Sequence, residues 1–282
     1  MALKKERFTL KVILVAILLI GAYGYLTYTE KAPVRPETQA NTGVFTVPVS
    51  VSFISDTGFL KLVNAELPVT DKAAGAFVSA WPEVPVGALD VTLDKTALAA
   101  AQKLFSAAKA ANAGDFYVSS GYRGYEEQEQ IYKTSADKSF VQPAGHSEHE
   151  TGLAADIMAK GVSQQAMGAS AEGKWLEENA WKYGFILRYP ADKKAVTGIS
   201  YEPWHFRYVG QPHAWYCMEH NLCYEEYIRF LQTKGGYSAP IGGTRYSVMY
   251  ETPKNGAIFV PNGQNYSVSA DNTGGYIVTA WK

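Results

Sequence analysis

The chain has 282 residues, 26 Lys and Arg against 27 Asp and Glu, a net charge of −1, and is 47% hydrophobic and 19% charged. That composition excludes a disordered or collagen-like chain, and the charge balance argues against the basic face of a nucleic-acid-binding protein. Two cysteines exclude a disulfide scaffold or a four-cysteine zinc finger, and five histidines remain for metal or acid–base work.

Residues 1–11 carry Lys4, Lys5, Arg7 and Lys11 against Glu6, and no residue from Val12 to Thr29 is charged. As a helix those uncharged residues would span about 27 Å, roughly one bilayer core. The basic flank predicts a cytoplasmic tip, so residues 1–29 read as an uncleaved single-pass anchor with the rest of the chain outside the cell. A cleaved signal peptide is the competing reading, but its apolar region would be shorter, and Gly21 to Tyr25 offers a poor cleavage site. Residues 1–11 hold most of the local positive charge, so the outward part is mildly acidic.

Residues 30–43 (EKAPVRPETQANTG) read as a linker, rich in Pro, Thr and charge without a hydrophobic period. Val44–Phe53 alternates like a strand that Pro48 confines to an edge. Asp94–Asn112, with Leu98, Leu104 and Phe105 on one face and Gly114 beyond, predicts a helix. Phe116–Ser119 reads as a strand, Gly121 to Gly124 as a tight loop and Tyr125–Lys133 as a helix. Leu153–Met158 suits a buried strand, Lys174–Tyr183 a helix closed by Gly184, and Phe185–Tyr189 a strand. His205–Val209 is another strand, and Cys223–Thr233 a helix. After Gly235 the sequence fills with Gly, Asn, Tyr and Val, and turn signals at Lys254-Asn255-Gly256, Asn262-Gly263 and Thr273-Gly274-Gly275 predict three or four short strands. Helices and strands without a regular βαβ rhythm predict an α+β fold with a small antiparallel sheet flanked by helices. The expected organisation is an anchor at 1–29, a linker at 30–43, a catalytic domain at 44–235 and a β appendage of open role at 236–282.

The chemistry concentrates in two stretches. In the first, Gly145–Asp156 (GHSEHETGLAAD), His149 precedes Asp156 by seven residues, and an apolar strand follows. In the second, Tyr201–Phe206 (YEPWHF), Glu202 stands three residues before His205. His149, Asp156 and His205 together would give a zinc ion three mixed N and O ligands and leave the fourth position open for water, the pattern of a catalytic site. Glu202 then has a natural role as general base. Taken singly, His149 also fits a hydrogen-bonded surface residue, Asp156 a turn cap and His205 an ordinary strand histidine. His149-Glu150 begins like HExxH, but Leu153 stands where the second histidine belongs. A serine mechanism would need S-x-x-K with a Lys-Thr-Gly; Ser106–Lys109 and Ser135–Lys138 fit the first pattern, and nothing fits the second. Cys217 and Cys223, six apart, fit either a disulfide or two buried thiols.

Three ordered motifs carry a resemblance. SEHETGLAAD (Ser147–Asp156) resembles the SxHxxGxAxD motif of the VanY-type D-alanyl-D-alanine carboxypeptidases, and EPWH (Glu202–His205) their ExxH. SSGYRGYEEQ (Ser119–Gln128) is similar to their SGYR-x4-Q, and LVNAELPV (Leu62–Val69) to the strand with which their domain opens. The resemblance runs from Leu62 to Leu231. It implies His149, Asp156 and His205 as zinc ligands and Glu202 as catalytic base. It implies Arg123 as the arginine that meets the substrate carboxylate or polarised carbonyl, and Gln128 and Ser147 as substrate-binding polar groups. His146 matches no ligand. The expected activity is a membrane-anchored, extracytoplasmic zinc D,D-carboxypeptidase that removes the terminal D-Ala from peptidoglycan precursor stem peptides and contributes to glycopeptide (vancomycin) resistance. An L,D-carboxypeptidase acting on tetrapeptide stems, and a non-catalytic zinc-bearing wall-binding module, are the alternatives; the intact Glu202 argues against the second.

Overall fold

A computed structural model describes residues 45–70 and 77–282. The anchor expected at 1–29 and the linker at 30–43 lie outside the described residues. No helix among the described residues is long and apolar enough to cross a membrane.

The strands are β1 (Phe45–Ser50), β2 (Phe77–Ser79), β3 (Thr92–Asp94), β4 (Phe116–Ser120), β5 (Ala154–Ala159), β6 (Phe185–Leu187) and β7 (His205–Tyr208), then β8 (Gly236–Ile241), β9 (Thr244–Glu251), β10 (Ala257–Pro261), β11 (Asn265–Ala270) and β12 (Tyr276–Trp281). The main helices are α1 (Lys95–Ala110), α2 (Tyr125–Thr134), α3 (Ala171–Asn179), α4 (Gln211–Glu219) and α5 (Tyr224–Lys234). The site is built on an antiparallel sheet of order β4-β5-β7-β6. This is the expected α+β arrangement.

Local chemistry explains most boundaries. Asp94 caps α1, its carboxylate accepting from the amides of Thr96 at 2.7 Å and Ala97 at 3.2 Å. The apolar face of α1 (Leu98, Leu104, Ala108) then packs on Phe116, Val118 and Ile157 of the sheet. Helix α3 starts three residues earlier than the sequence predicts, because Ser170 caps it by accepting from Gly173 N at 2.9 Å. Its predicted last turn is a separate 3₁₀ turn, Ala180–Tyr183, closed by Gly184.

Two expectations are corrected, and one left open is decided. Leu62–Val69 is not a strand: the Asn64 carboxamide oxygen accepts from the amides of Glu66 and Leu67, each at 3.0 Å, and turns the chain instead. Cys217 and Cys223 are both free and buried. The C-terminal region holds five strands: a sheet of order β11-β12-β9-β8, and β10, which pairs with β1. Pro48 sits opposite Phe259 in that two-stranded pair, where the missing amide hydrogen is tolerated. A core of Leu60, Ile186, Tyr224, Tyr227, Tyr237, Val248 and Ile277 joins α5 and the strand β6 to the C-terminal sheet. Inside that core His213 on α4 contacts Tyr227 Oη through Nδ1 at 2.6 Å and Thr279 Oγ1 on β12 through Nε2 at 3.0 Å.

Candidate active site

His149 sits on a 3₁₀ turn, Glu148–Thr151, whose start Ser147 caps and whose end Gly152 closes at φ +69°. A Cβ on Gly152 would lie 2.4 Å from the Phe77 ring, so both the turn and its packing require glycine. Asp156 on β5 and His205 on β7 are direct cross-strand partners, which puts their side chains on the same face of the sheet. Glu202, three residues before His205, is buried beside it, with Oε2 3.6 Å from His205 Nδ1. The loop bearing Arg123 is fixed by the Tyr122 amide donating to Thr92 O and the Arg123 amide donating to His149 O. Tyr122 also stacks on Phe77 with centroids 4.0 Å apart.

These elements bring the sequence-predicted residues into one cavity of about 220 Å³, lined by Arg123, Gln128, Ser147, His149, Asp156, Glu202 and His205 among others. The donor atoms of His149, Asp156 and His205 lie within 4.8 Å of one another. His149 Nδ1 donates to Gly121 O at 2.6 Å, which leaves Nε2 bare and 3.4 Å from Asp156 Oδ1. Asp156 Oδ1 also lies 3.2 Å from His205 Nδ1. His149 Nε2 and Asp156 Oδ1 are buried and without a hydrogen-bond partner among the described residues. Buried polar atoms are normally satisfied, so two such donors converging on one point fit a metal ion with N and O ligands. His146 is outside the cavity; its Nδ1 contacts Asn64 O at 2.8 Å.

The electrostatics of the cluster are strongly perturbed. Burial drives His149 down to about 4, assisted by the Arg123 charge and opposed by Asp156. Burial also disfavours a charged His205, but the facing carboxylates of Asp156, Glu148 and Glu202 win and hold it at about 9. Burial works against an ionised Asp156 too, yet the two imidazoles keep its carboxyl well below the carboxylate range. Burial raises Glu202 to about 8; His205 opposes that rise and Asp156 adds to it. Two carboxyls of the same pocket thus differ widely in acidity, one held as an acceptor and the other able to carry a proton near neutrality.

Gln128 is buried, its Nε2 donating to Gln142 O at 2.7 Å while Oε1 has no partner among the described residues. Arg123 Nε is likewise buried and without a partner. The Ser147 hydroxyl accepts from His149 N at 3.4 Å and still faces the cavity.

Sequence reasoning missed the groups behind the site. Glu148 is 1% exposed, with Oε1 2.8 Å from Arg188 Nε and 3.0 Å from Arg207 Nη1. Its Oε2 faces His205 Nε2 at 3.7 Å. Burial opposes the Glu148 charge, but Arg188 and Arg207 overcome it and hold the carboxyl far below the usual range. Arg188 is in turn gripped by both carboxylate oxygens of Glu225 on α5, at 2.6 and 3.0 Å. An arginine inside each apolar strand motif, FILRYP and HFRYV, was the visible signal, since a charge there must be paired. Tyr189, whose ring centre is 5.0 Å from that of His205, carried no such signal.

Two imidazoles and a carboxylate whose donor atoms converge in one cavity, with a further buried carboxyl beside them, suit a metal-dependent hydrolase. Residues 90–211 match the family model VanY: D-alanyl-D-alanine carboxypeptidase. A D-alanyl-D-alanine carboxypeptidase of Enterococcus faecium is 38% identical over 232 residues, covering 79% of this chain and 75% of that protein. The chain therefore belongs to the VanY family of D-alanyl-D-alanine carboxypeptidases. Among solved structures, the vancomycin resistance D,D-dipeptidase VanXYg, in complex with a D-Ala-D-Ala phosphinate analog, superposes with a TM-score of 0.72 at 29% identity, covering 84% of this chain and 98% of that one. A point mutant of the D,D-pentapeptidase VanY from a VanB-type resistance cassette, in complex with Zn(II), gives 0.51 at 34% identity over 60% of this chain and 98% of that one.

Proposed function

We propose that this chain is a zinc D,D-carboxypeptidase that releases the terminal D-Ala from peptidoglycan stem peptides. The observation that carries the reading is the convergence of unpartnered His149 and Asp156 donor atoms with His205, beside a carboxyl raised by burial and an arginine with a buried, unpaired Nε. His149, Asp156 and His205 would hold the metal. Zinc, when bound, supplies a Lewis acid for the scissile carbonyl and lowers the pKa of a water. Glu202 takes the proton of the attacking water on its carboxylate and delivers it to the leaving amine, so the residue begins and ends the cycle in the same state. Arg123 meets the free C-terminal carboxylate, or the carbonyl oxygen as it gains charge, through its planar fork. The unpartnered Gln128 Oε1 accepts from a substrate amide, and the Ser147 hydroxyl adds a second polar contact.

Removal of the last D-Ala takes away the D-Ala-D-Ala end that glycopeptide antibiotics bind, so the activity would support vancomycin resistance. The basic flank and the uncharged run from Val12 to Thr29 support a single-pass membrane anchor with residues 44–282 outside the cell. Protease shaving of intact cells that removes residues 44–282 agrees with that topology; their survival under a protease that crosses the wall contradicts it. The activity is tested by mass spectrometry of defined stems incubated with the zinc-loaded chain. Loss of one D-Ala from the pentapeptide is the expected result. Trimming of the tetrapeptide alone would establish an L,D-carboxypeptidase instead, and binding without cleavage of either would leave a wall-binding module.

A further inference from the structure

Beyond the catalytic cavity lies a second, larger one of about 670 Å³, lined by Phe140, Gln164, Gln165, Tyr201, Pro203 and Trp204 among others. Phe140, Gln164 and Trp204 line both cavities. The wall they share includes the Phe140 and Trp204 ring pair, stacked with centroids 6.4 Å apart and planes 30° apart. Trp204 is the residue before His205, so a chain bound at the catalytic cluster that crosses this wall enters the second cavity.

The lining selects a chemistry. Among the described residues no charged side chain contributes to it. An ionised group brought out of water here would find no partner, which disfavours the acidic and basic residues of a stem peptide. Aromatic faces from Phe140, Tyr201 and Trp204 are combined with two carboxamides on an exposed turn, Gln164–Ala169. Flat rings suit the C–H face of a pyranose, and carboxamides offer both donors and acceptors to hydroxyl and acetamido groups. The depth of the cavity is itself built in. Gly168 has an ordinary φ, yet a Cβ there would lie 2.7 Å from the Tyr201 ring. Any side chain at 168 would displace that ring, which lines the cavity.

Resting on the carboxypeptidase reading above, we propose that this second cavity is a saccharide subsite that takes the N-acetylated amino sugar carrying the stem peptide. Four extended residues, the stretch from scissile bond to sugar, span at most about 13 Å.

The test compares one pentapeptide stem with and without its N-terminal lactyl sugar, the sugar-free form being N-acetylated to match charge. Wild type should favour the sugar-bearing substrate about tenfold in kcat/KM, chiefly through KM. Gly168→Ala and, separately, Gln165→Ala should lose that preference while kcat/KM on the sugar-free stem stays within about twofold of wild type. Equal kcat/KM for the two substrates in wild type, or a preference that survives both substitutions, overturns the subsite. If wild type cleaves neither, the carboxypeptidase reading has failed, and calorimetry with the same two peptides decides the subsite alone. Tighter binding of the sugar-bearing form, lost in Gly168→Ala, sustains it; equal Kd values refute it.

Discussion

Glu148→Gln should damage stability and metal binding together, although Glu148 is not a ligand in this account. The carboxylate is 1% exposed and serves Arg188, Arg207 and His205 at once. Glutamine keeps the shape but removes the charge that balances two buried guanidiniums. Arg188 retains Glu225, while Arg207 keeps the uncharged partners Phe59 O and Lys61 O at 3.1 Å, Tyr208 O and the Tyr224 ring. Breaking a buried ion pair by removing one partner costs about 3–5 kcal/mol. For a fold of this size each kcal/mol shifts Tm by about 2–4 °C, so the metal-free variant should melt roughly 6–20 °C lower. The same substitution weakens the carboxylate that faces His205 Nε2, and loss of such an outer partner lowers metal affinity about 10–100-fold. Thermal melts of the metal-free protein and competition titrations with zinc read the two effects separately. A variant that melts within about 2 °C of wild type and binds zinc equally well would refute the claim that Glu148 supports the site.

Other consequences follow from the same geometry. His205→Ala should abolish stoichiometric zinc binding by metal analysis; full occupancy would remove it from the ligand set. Glu202→Gln should keep its zinc and its peptide affinity and lose about 10²–10⁴-fold in kcat. Arg123→Ala should also keep zinc, and should raise KM about 10–100-fold if it binds the ground-state carboxylate, or lower kcat if it meets the developing oxyanion. His213 is buried and its pKa is lowered by that burial to about 3 from 6.5. The unfolded chain therefore takes up this proton first, so the stability is intact above pH 6.5 and falls as pH drops from there toward 3. Urea unfolding at pH 7 and pH 4.5 should show His213→Gln losing about 2–3 kcal/mol less than wild type across that interval; equal losses would contradict the assignment.

What the sequence made legible was local. Helix α1 carries its own cap and periodic face, and the strands β4, β5 and β7 are short apolar runs next to turn residues. The zinc-type triad lies in two contiguous motifs, and cross-strand pairing of Asp156 with His205 completes it. Helix α4 was missed because Pro212, His213, Ala214, Tyr216 and Cys217 are all buried, which leaves no amphipathic period to detect. The β1–β10 pairing joins segments about two hundred residues apart, and no local pattern encodes it. The Glu148–Arg188–Arg207 cluster is of the same kind: each charge was visible in its motif, but the partners meet only in the folded chain.

The most direct test of the central claim is kcat/KM of the zinc-loaded wild-type chain on one pentapeptide stem as the free acid and as its C-terminal amide. A carboxypeptidase that reads a free carboxylate through Arg123 should process the amide about 10–100-fold more slowly, the value of a charge-assisted hydrogen bond. Equal rates on the two peptides would contradict the account and make this site an endopeptidase's.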